Sequence, residues 1–120
     1  MPARTVGRIQ TRAAFAQAQR SRARASSGPV RVTFVAVDAA VPGVYPQVGY
    51  AISKKCGNAV TRNALRRRMR EVARAAGPGL PRGIYVVRLD PAVATSGRAR
   101  FRTDVGRALE RAAQTARVTT

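Results

Sequence analysis

The chain has 120 residues and a formal charge of +18, from 23 Lys and Arg against 5 Asp and Glu, with no His and one Cys. This length suits a single domain with one modest core, and a lone cysteine excludes an internal disulfide and fits a reducing compartment, expected to be the cytoplasm. No apolar run approaches the ~20 residues that span a bilayer and no signal peptide is read at the start, so the charge asks for a polyanion, nucleic acid before membrane.

In chain order, residues 1–10 read as a basic, partly disordered arm. Thr11 is placed to cap a short helix over 11–20, with Ala14, Phe15 and Ala18 on one face. Residues 21–29, SRARASSGP, read as a loop. Val30 to Val37 (VRVTFVAV) is β-branched and bounded by Pro29 and Asp38, which predicts a strand. A connection with two prolines leads to a second strand, Val48 to Ser53, expected to pair antiparallel with the first. A basic helix is predicted over 59–76, stopped by Gly77-Pro78-Gly79. Gly83 to Leu89 (GIYVVRL) is a third strand, ended by Asp90-Pro91. A last helix over 98–115 carries Phe101, Val105, Leu109 and Ala112 at helical spacing. The order αββαβα predicts an α/β fold of the α+β sandwich kind, a small, mostly antiparallel sheet with three helices in one domain over 1–120.

The absent residue types matter as much. Without His there is no imidazole for acid–base work or metal ligation. The acids Asp38, Glu71, Asp90, Asp104 and Glu110 are scattered singly, whereas a two-metal nuclease site needs several carboxylates around ions ~4 Å apart. No catalytic residue is therefore assigned to the chain, and a self-sufficient nuclease is not expected.

The charge concentrates in residues 53–74, SKKCGNAVTRNALRRRMREVAR, which hold eight of the basic residues and a single acid, Glu71. With Leu65 at 0° and about 100° per residue, Met69, Val72 and Ala76 fall within about 40° of it. Asn63, Arg66, Arg67, Arg70 and Arg74 gather opposite, between about 100° and 200°. Glu71 is spaced to pair with Arg67 or Arg74 along the helix. Arg66/Arg70 and Arg70/Arg74 oppose the helix by a few tenths of a kcal/mol each, roughly, and a polyanion removes that penalty. Arginine forks suit phosphates and stack on unpaired bases, and no zinc finger, zipper or helix-turn-helix pair points to duplex DNA.

The run Ser53-Lys54-Lys55-Cys56-Gly57-Asn58-Ala59-Val60, continued by Arg62-Asn63, Arg66-Arg67 and Arg70-Glu71, closely resembles the signature of the bacterial ribonuclease P protein component. The helix bearing Phe15, the strands VGYAIS and IYVVR, and the final amphipathic helix stand in that family's order. The resemblance implies a left-handed βαβ crossover around the basic helix. It implies a protein subunit that binds the catalytic RNA subunit and the 5′ leader of precursor tRNA, promoting endonucleolytic removal of the leader. Catalysis then belongs to the RNA with Mg²⁺, bound mainly by that RNA and not by the protein alone. No membrane and no obligate protein partner are implied. The alternative is a ribosomal or other structural RNA-binding protein, which charge and size suit but the motif does not.

Carried over by position, Lys54, Lys55, Asn58, Arg62, Asn63, Arg66, Arg67 and Arg70 are the candidates for catalytic-RNA contact. Phe15 and Lys55 are candidates for the leader, and Phe34, Tyr50 and Tyr85 either stack on leader bases or belong to the core. Three positions depart from the family pattern. Ala64 replaces an arginine, Arg68 replaces an aliphatic residue, and Gln19 replaces a second aromatic of the first helix. Cys56 is read as a small filler, Gly57 as a positive-φ position, and Asn58 either as a helix cap or as an RNA contact.

Overall fold

The computed structural model describes residues 7–8, 12–20, 23–37, 40, 42, 45–95 and 97–119. Two residues of the N-terminal arm form strand β1 (Gly7–Arg8), and the rest of that arm, with Thr11, lies outside the described residues. There follow α1 (Arg12–Gln19), β2 (Ala23–Ser27), β3 (Val30–Ala36), β4 (Gln47–Ala51), α2 (Ala59–Ala76), β5 (Gly83–Leu89) and α3 (Arg98–Thr119). The sheet order is β1-β4-β5-β3-β2. It is mixed: β2–β3 and β3–β5 are antiparallel, with five and seven paired residues, while β4–β5 and β1–β4 are parallel, with five and two. The three helices and the α+β class match the expectation. The adjacent parallel strands β4 and β5 are joined through α2, which makes the crossover unit. Among the described residues no helix is long and apolar enough to cross a membrane.

Two local expectations are corrected. The segment read as a loop, 21–29, contains β2, which pairs with β3 from Ala23↔Phe34 to Ser27↔Val30. Gly28 (φ +55) and Pro29 make the two-residue turn between them, and a positive φ at the first central residue suits a tight hairpin. Small Ala and Ser side chains give a weak strand signal, so pairing and packing against α3 create this strand. The second correction concerns pairing. β3 and β4 do not pair with each other, because β5 lies between them and bonds to both. A strand buried on both faces, as β5 is over Gly83 to Val87, satisfies its backbone only with a neighbour on each side.

One face of the sheet holds the main core. Val30, Val32 and Phe34 of β3, Val48 of β4, and Tyr85, Val87 and Leu89 of β5 meet Leu65, Met69 and Ala73 of α2 and Phe101, Val105 and Leu109 of α3. Each large apolar side chain buried here contributes about 1.5–3 kcal/mol. The buried stripe of α2 centres on Met69 and takes in Ala73, with Val72 and Ala76 half-buried beside it. Asp104 of α3 is the buried charge on this side, at 2% exposure, and accepts a 2.9 Å bond from Ser27 Oγ. It ties the β2–β3 hairpin to α3. On the opposite face Ile84 and Val86 pack with Phe15 of α1, Val35, Val37, Tyr45 and Ala51. α1 lies over β5 and β3 and leaves the Val30/Leu89 end of that face open.

Candidate nucleic-acid interface

Cys56, Gly57 and Asn58 build the entry into the basic helix. Lys54 to Cys56 form one 3₁₀ turn in which both lysines are exposed. Cys56 is fully buried, and its thiol points to the Leu89 carbonyl at 3.7 Å, which makes it the small filler expected. Gly57 has φ +142, and a Cβ there would stand 2.8 Å from Thr61 Cγ2, so only glycine passes the chain at this point. Asn58 is the N-cap of α2, its side chain accepting from Thr61 N at 2.9 Å. A cap of this kind contributes about 1 kcal/mol to the helix.

α2 then displays its charges as the wheel requires. Asn63, Arg67, Arg70 and Arg74 are exposed, and Arg66 is half-buried at the edge of the same face. Arg66 donates to Asn63 Oδ1 at 3.1 Å, which aligns two of the candidate contacts. Arg62 is half-buried, and its Nε is closed from solvent with no hydrogen-bond partner. Its stem therefore belongs to the packing and its fork to the rim. Arg68 is half-buried on the far flank of the stripe, away from Arg67 and Arg70, and Ala64 is half-buried too. Glu71 pairs with Arg102 of α3 at 2.8 Å and not with Arg67 or Arg74. That interhelical bond turns the one acid of the segment away from the arginines and leaves their face a single sign.

Beside this face a cleft of ≈ 680 Å³ opens where β4 leaves the sheet, lined among others by Arg31, Tyr50, Lys55, Arg66, Arg88 and Asp90. Asp90 Oδ1 is occupied by the Ala92 amide at 2.9 Å. Tyr50 is half-buried at the cleft wall. Burial pushes its phenol up to about 12, with Arg70 and Arg74 pulling the other way, so the hydroxyl stays neutral.

The structure divides the aromatic candidates. Phe15 stands on the α1 face of the sheet, and Tyr50 and Lys55 line the cleft. Phe34 and Tyr85 do not belong to a surface. They are 3% and 0% exposed on the helix-packed face, their rings 5.0 Å apart, and Tyr85 donates to the Pro81 carbonyl at 2.7 Å. Strand alternation points both into the main core, so neither stacks on a base. The aromatic that the sequence reading missed is Tyr45, on the Phe15 side, with the Arg82 guanidinium 4.3 Å from its ring centre. Arg31 and Arg88 were missed as well. Their signal is a single charge inside an apolar strand, VRVTFV and YVVRL, which marks the solvent face.

A mixed sheet packed by α2 and α3 on one face and partly covered by α1 on the other, with a one-sign arginine helix beside an open cationic cleft, defines a small RNA-binding protein of the α+β class. Comparison with known proteins names the class more closely. The Ribonuclease P family model matches residues 4–113. The ribonuclease P protein component of Pseudarthrobacter chlorophenolicus is 36% identical over 110 residues, covering 88% of this chain and 76% of the relative. That of Streptomyces griseus is 33% identical over 114 residues, covering 89% and 92%. In fold, the RNase P protein of Thermotoga maritima superposes with a TM-score of 0.71 at 22% identity, covering 87% of this chain and 96% of that one. The chain belongs to the ribonuclease P protein component family. Its role is in tRNA 5′ processing, within an endoribonuclease whose RNA subunit is the catalyst, and its partner is that RNA. The reading as a ribosomal or other structural RNA-binding protein is not favoured.

Proposed function

We propose that the Lys54–Asn58 turn and the arginine face of α2 hold the catalytic RNA, while the α1 side of the sheet guides the 5′ leader of precursor tRNA. One observation supports this above the others: Arg66 belongs both to the arginine face and to the cleft, which joins the two surfaces through a cationic side chain. Lys54, Lys55, Arg62, Arg66, Arg67 and Arg70 contact phosphates in this reading, and Asn63 acts through its bond with Arg66. Asn58 serves chiefly as the cap. Phe15, Tyr45 and Lys55 face the leader, with Tyr50 at the cleft wall, and Phe34 and Tyr85 drop out.

Among the described residues no three His, Cys, Asp or Glu side chains converge to hold a metal ion. In this reading the Mg²⁺ of the reaction is bound mainly by the RNA. The protein's work is to lower phosphate repulsion as RNA and leader approach each other. The expected site of action is the cytoplasm, with no membrane and no obligate protein partner.

The test is to mix the chain with the catalytic RNA and a precursor tRNA at low Mg²⁺. Stimulated 5′ maturation is expected. Tight RNA binding without any change in cleavage would overturn the reading.

A further inference from the structure

The open end of the α1-side face carries a charge arrangement that the RNA-binding helix does not explain. Sheet register sets Arg88 of β5 directly opposite Arg31 of β3, with Ser26 of β2 on the other side of Arg31. In the next row Arg24 of β2 is opposite Thr33 of β3. Like charges directly opposite on one face are unfavourable, and Arg24 stands diagonally within reach of Arg31. These residues enclose a second cleft of ≈ 370 Å³, lined by Arg24, Ser26, Arg31, Thr33 and Arg88 with Ala25 and Val32. Among the described residues no carboxylate lines it. Thr33 is 5% exposed, and its hydroxyl is buried without a hydrogen-bond partner. A buried hydroxyl is normally bonded, so Thr33, in the lining of this cleft, offers a donor that none of the described residues uses.

We propose that Arg24, Arg31 and Arg88, with the Thr33 hydroxyl beneath them, form a phosphate-oxyanion site that takes a backbone phosphate of the leader strand. Two observations carry it independently: a cross-strand arginine pair in a cleft where no described residue is an acid, and the unpartnered hydroxyl of a lining residue. An oxyanion answers both, since guanidinium forks and a hydroxyl donate to the same three oxygens. The choice of occupant rests on the leader reading above. Arg31 and Arg88 also line the larger cleft with Lys55 and Arg66, so a strand held there has a cationic path across β5, β3 and β2. At 4.7–4.9 Å per strand, that path adds about 10 Å beyond β5. Free phosphate offers the same chemistry and is the other possible source.

Two measurements decide. In the first, inorganic phosphate is titrated into the full chain and backbone amide shifts are followed by NMR. The amides of Arg24, Arg31, Thr33 and Arg88 are expected to move together, and to stop moving in Arg31→Gln/Arg88→Gln while those of α2 still respond. In the second, the holoenzyme binds precursor tRNA with a leader long enough to cross the sheet, or with one truncated to a single nucleotide. The double variant is expected to lose about tenfold more affinity for the long leader than for the short one. Its salt slope for the long leader should fall by ~0.7 per lost phosphate contact. Thr33→Val keeps the shape and should weaken the same long-leader preference with no drop in Tm, an effect no packing role produces.

Amide shifts confined to α2 and the 54–58 turn would overturn the site. Shifts at these four residues with unchanged leader discrimination would keep the oxyanion site and overturn the leader as its occupant. Wild-type protein that improves binding of neither precursor would sink the leader reading itself, and the phosphate titration then judges this site alone.

Discussion

Gly28→Ala tests how the β2–β3 hairpin is seated, and with it the placement of Arg24. Gly28 has φ +55, and a Cβ built there stands 2.6 Å from Asp104 Oδ2 and 3.0 Å from its Cγ. The left-handed conformation alone costs an alanine about 1–2 kcal/mol. The contact adds a second cost, because Asp104 has little freedom to retreat. Its side chain is 3% exposed, held by Ser27 at 2.9 Å and by Arg100 at 3.6 Å, on a helix packed along β2 and β3. Moving the carboxylate gives up a charge-assisted bond of about 1.5–3 kcal/mol. Together the substitution should cost about 3–5 kcal/mol and lower Tm by roughly 10–20 °C for a domain of this size. Thermal unfolding followed by far-UV circular dichroism measures it. In Gly28→Ala/Asp104→Ala the clash is gone and the strain remains, so the two losses should fall short of additivity by at least ~1 kcal/mol. A Tm within about 2 °C of wild type, or strict additivity, would refute the argument that Asp104 seats the turn.

The other predictions concern the interface and its neighbours. Arg67→Ala, at an exposed position, should weaken binding to the catalytic RNA and reduce the salt slope by about 0.7–0.9 with Tm unchanged, whereas Arg62→Ala should also lower Tm through its packed stem. Titrating holoenzyme assembly with salt compares them, and identical slopes for wild type and both variants would place the RNA on another face. Phe34→Ala should cost about 3–5 kcal/mol and Tyr85→Phe about 1 kcal/mol in urea unfolding. Neither should change leader affinity per folded molecule, and a selective loss would return these rings to the interface. Tyr50 has a raised pKa when folded, so the stability tied to its neutral phenol is complete below pH 10 and lost between pH 10 and about 12. Tyr50→Phe should therefore soften the alkaline fall in Tm, and an unchanged fall would assign it to other groups.

Particular residues show why some of this was legible in the sequence. The bounds of α2 are readable because every signal is local: Asn58 caps it, Leu65 and Met69 set its buried side, and Gly77-Pro78 stops it. Charge separation on that helix follows from the same 3.6-residue period. β5 is legible as an apolar run, but not its central place between β3 and β4, since an apolar run reports burial and not which neighbours supply it. Phe34 and Tyr85 look alike to Phe15 in composition. Which side of the sheet each ring occupies depends on register across strands that are far apart in the chain.

By itself, then, the sequence settles the basic helix, its capped entry, the absence of histidine chemistry, and the signature of the family. These rest on composition and on contacts within a turn or two of chain. Tertiary structure decides the rest: that Glu71 turns away to Arg102, that Asp104 pins a hairpin 77 residues distant, and that Arg24, Arg31 and Arg88 share one cleft. Each depends on distant segments being brought within a few ångströms, where a charge feels its neighbours across strands and helices more strongly than along the chain.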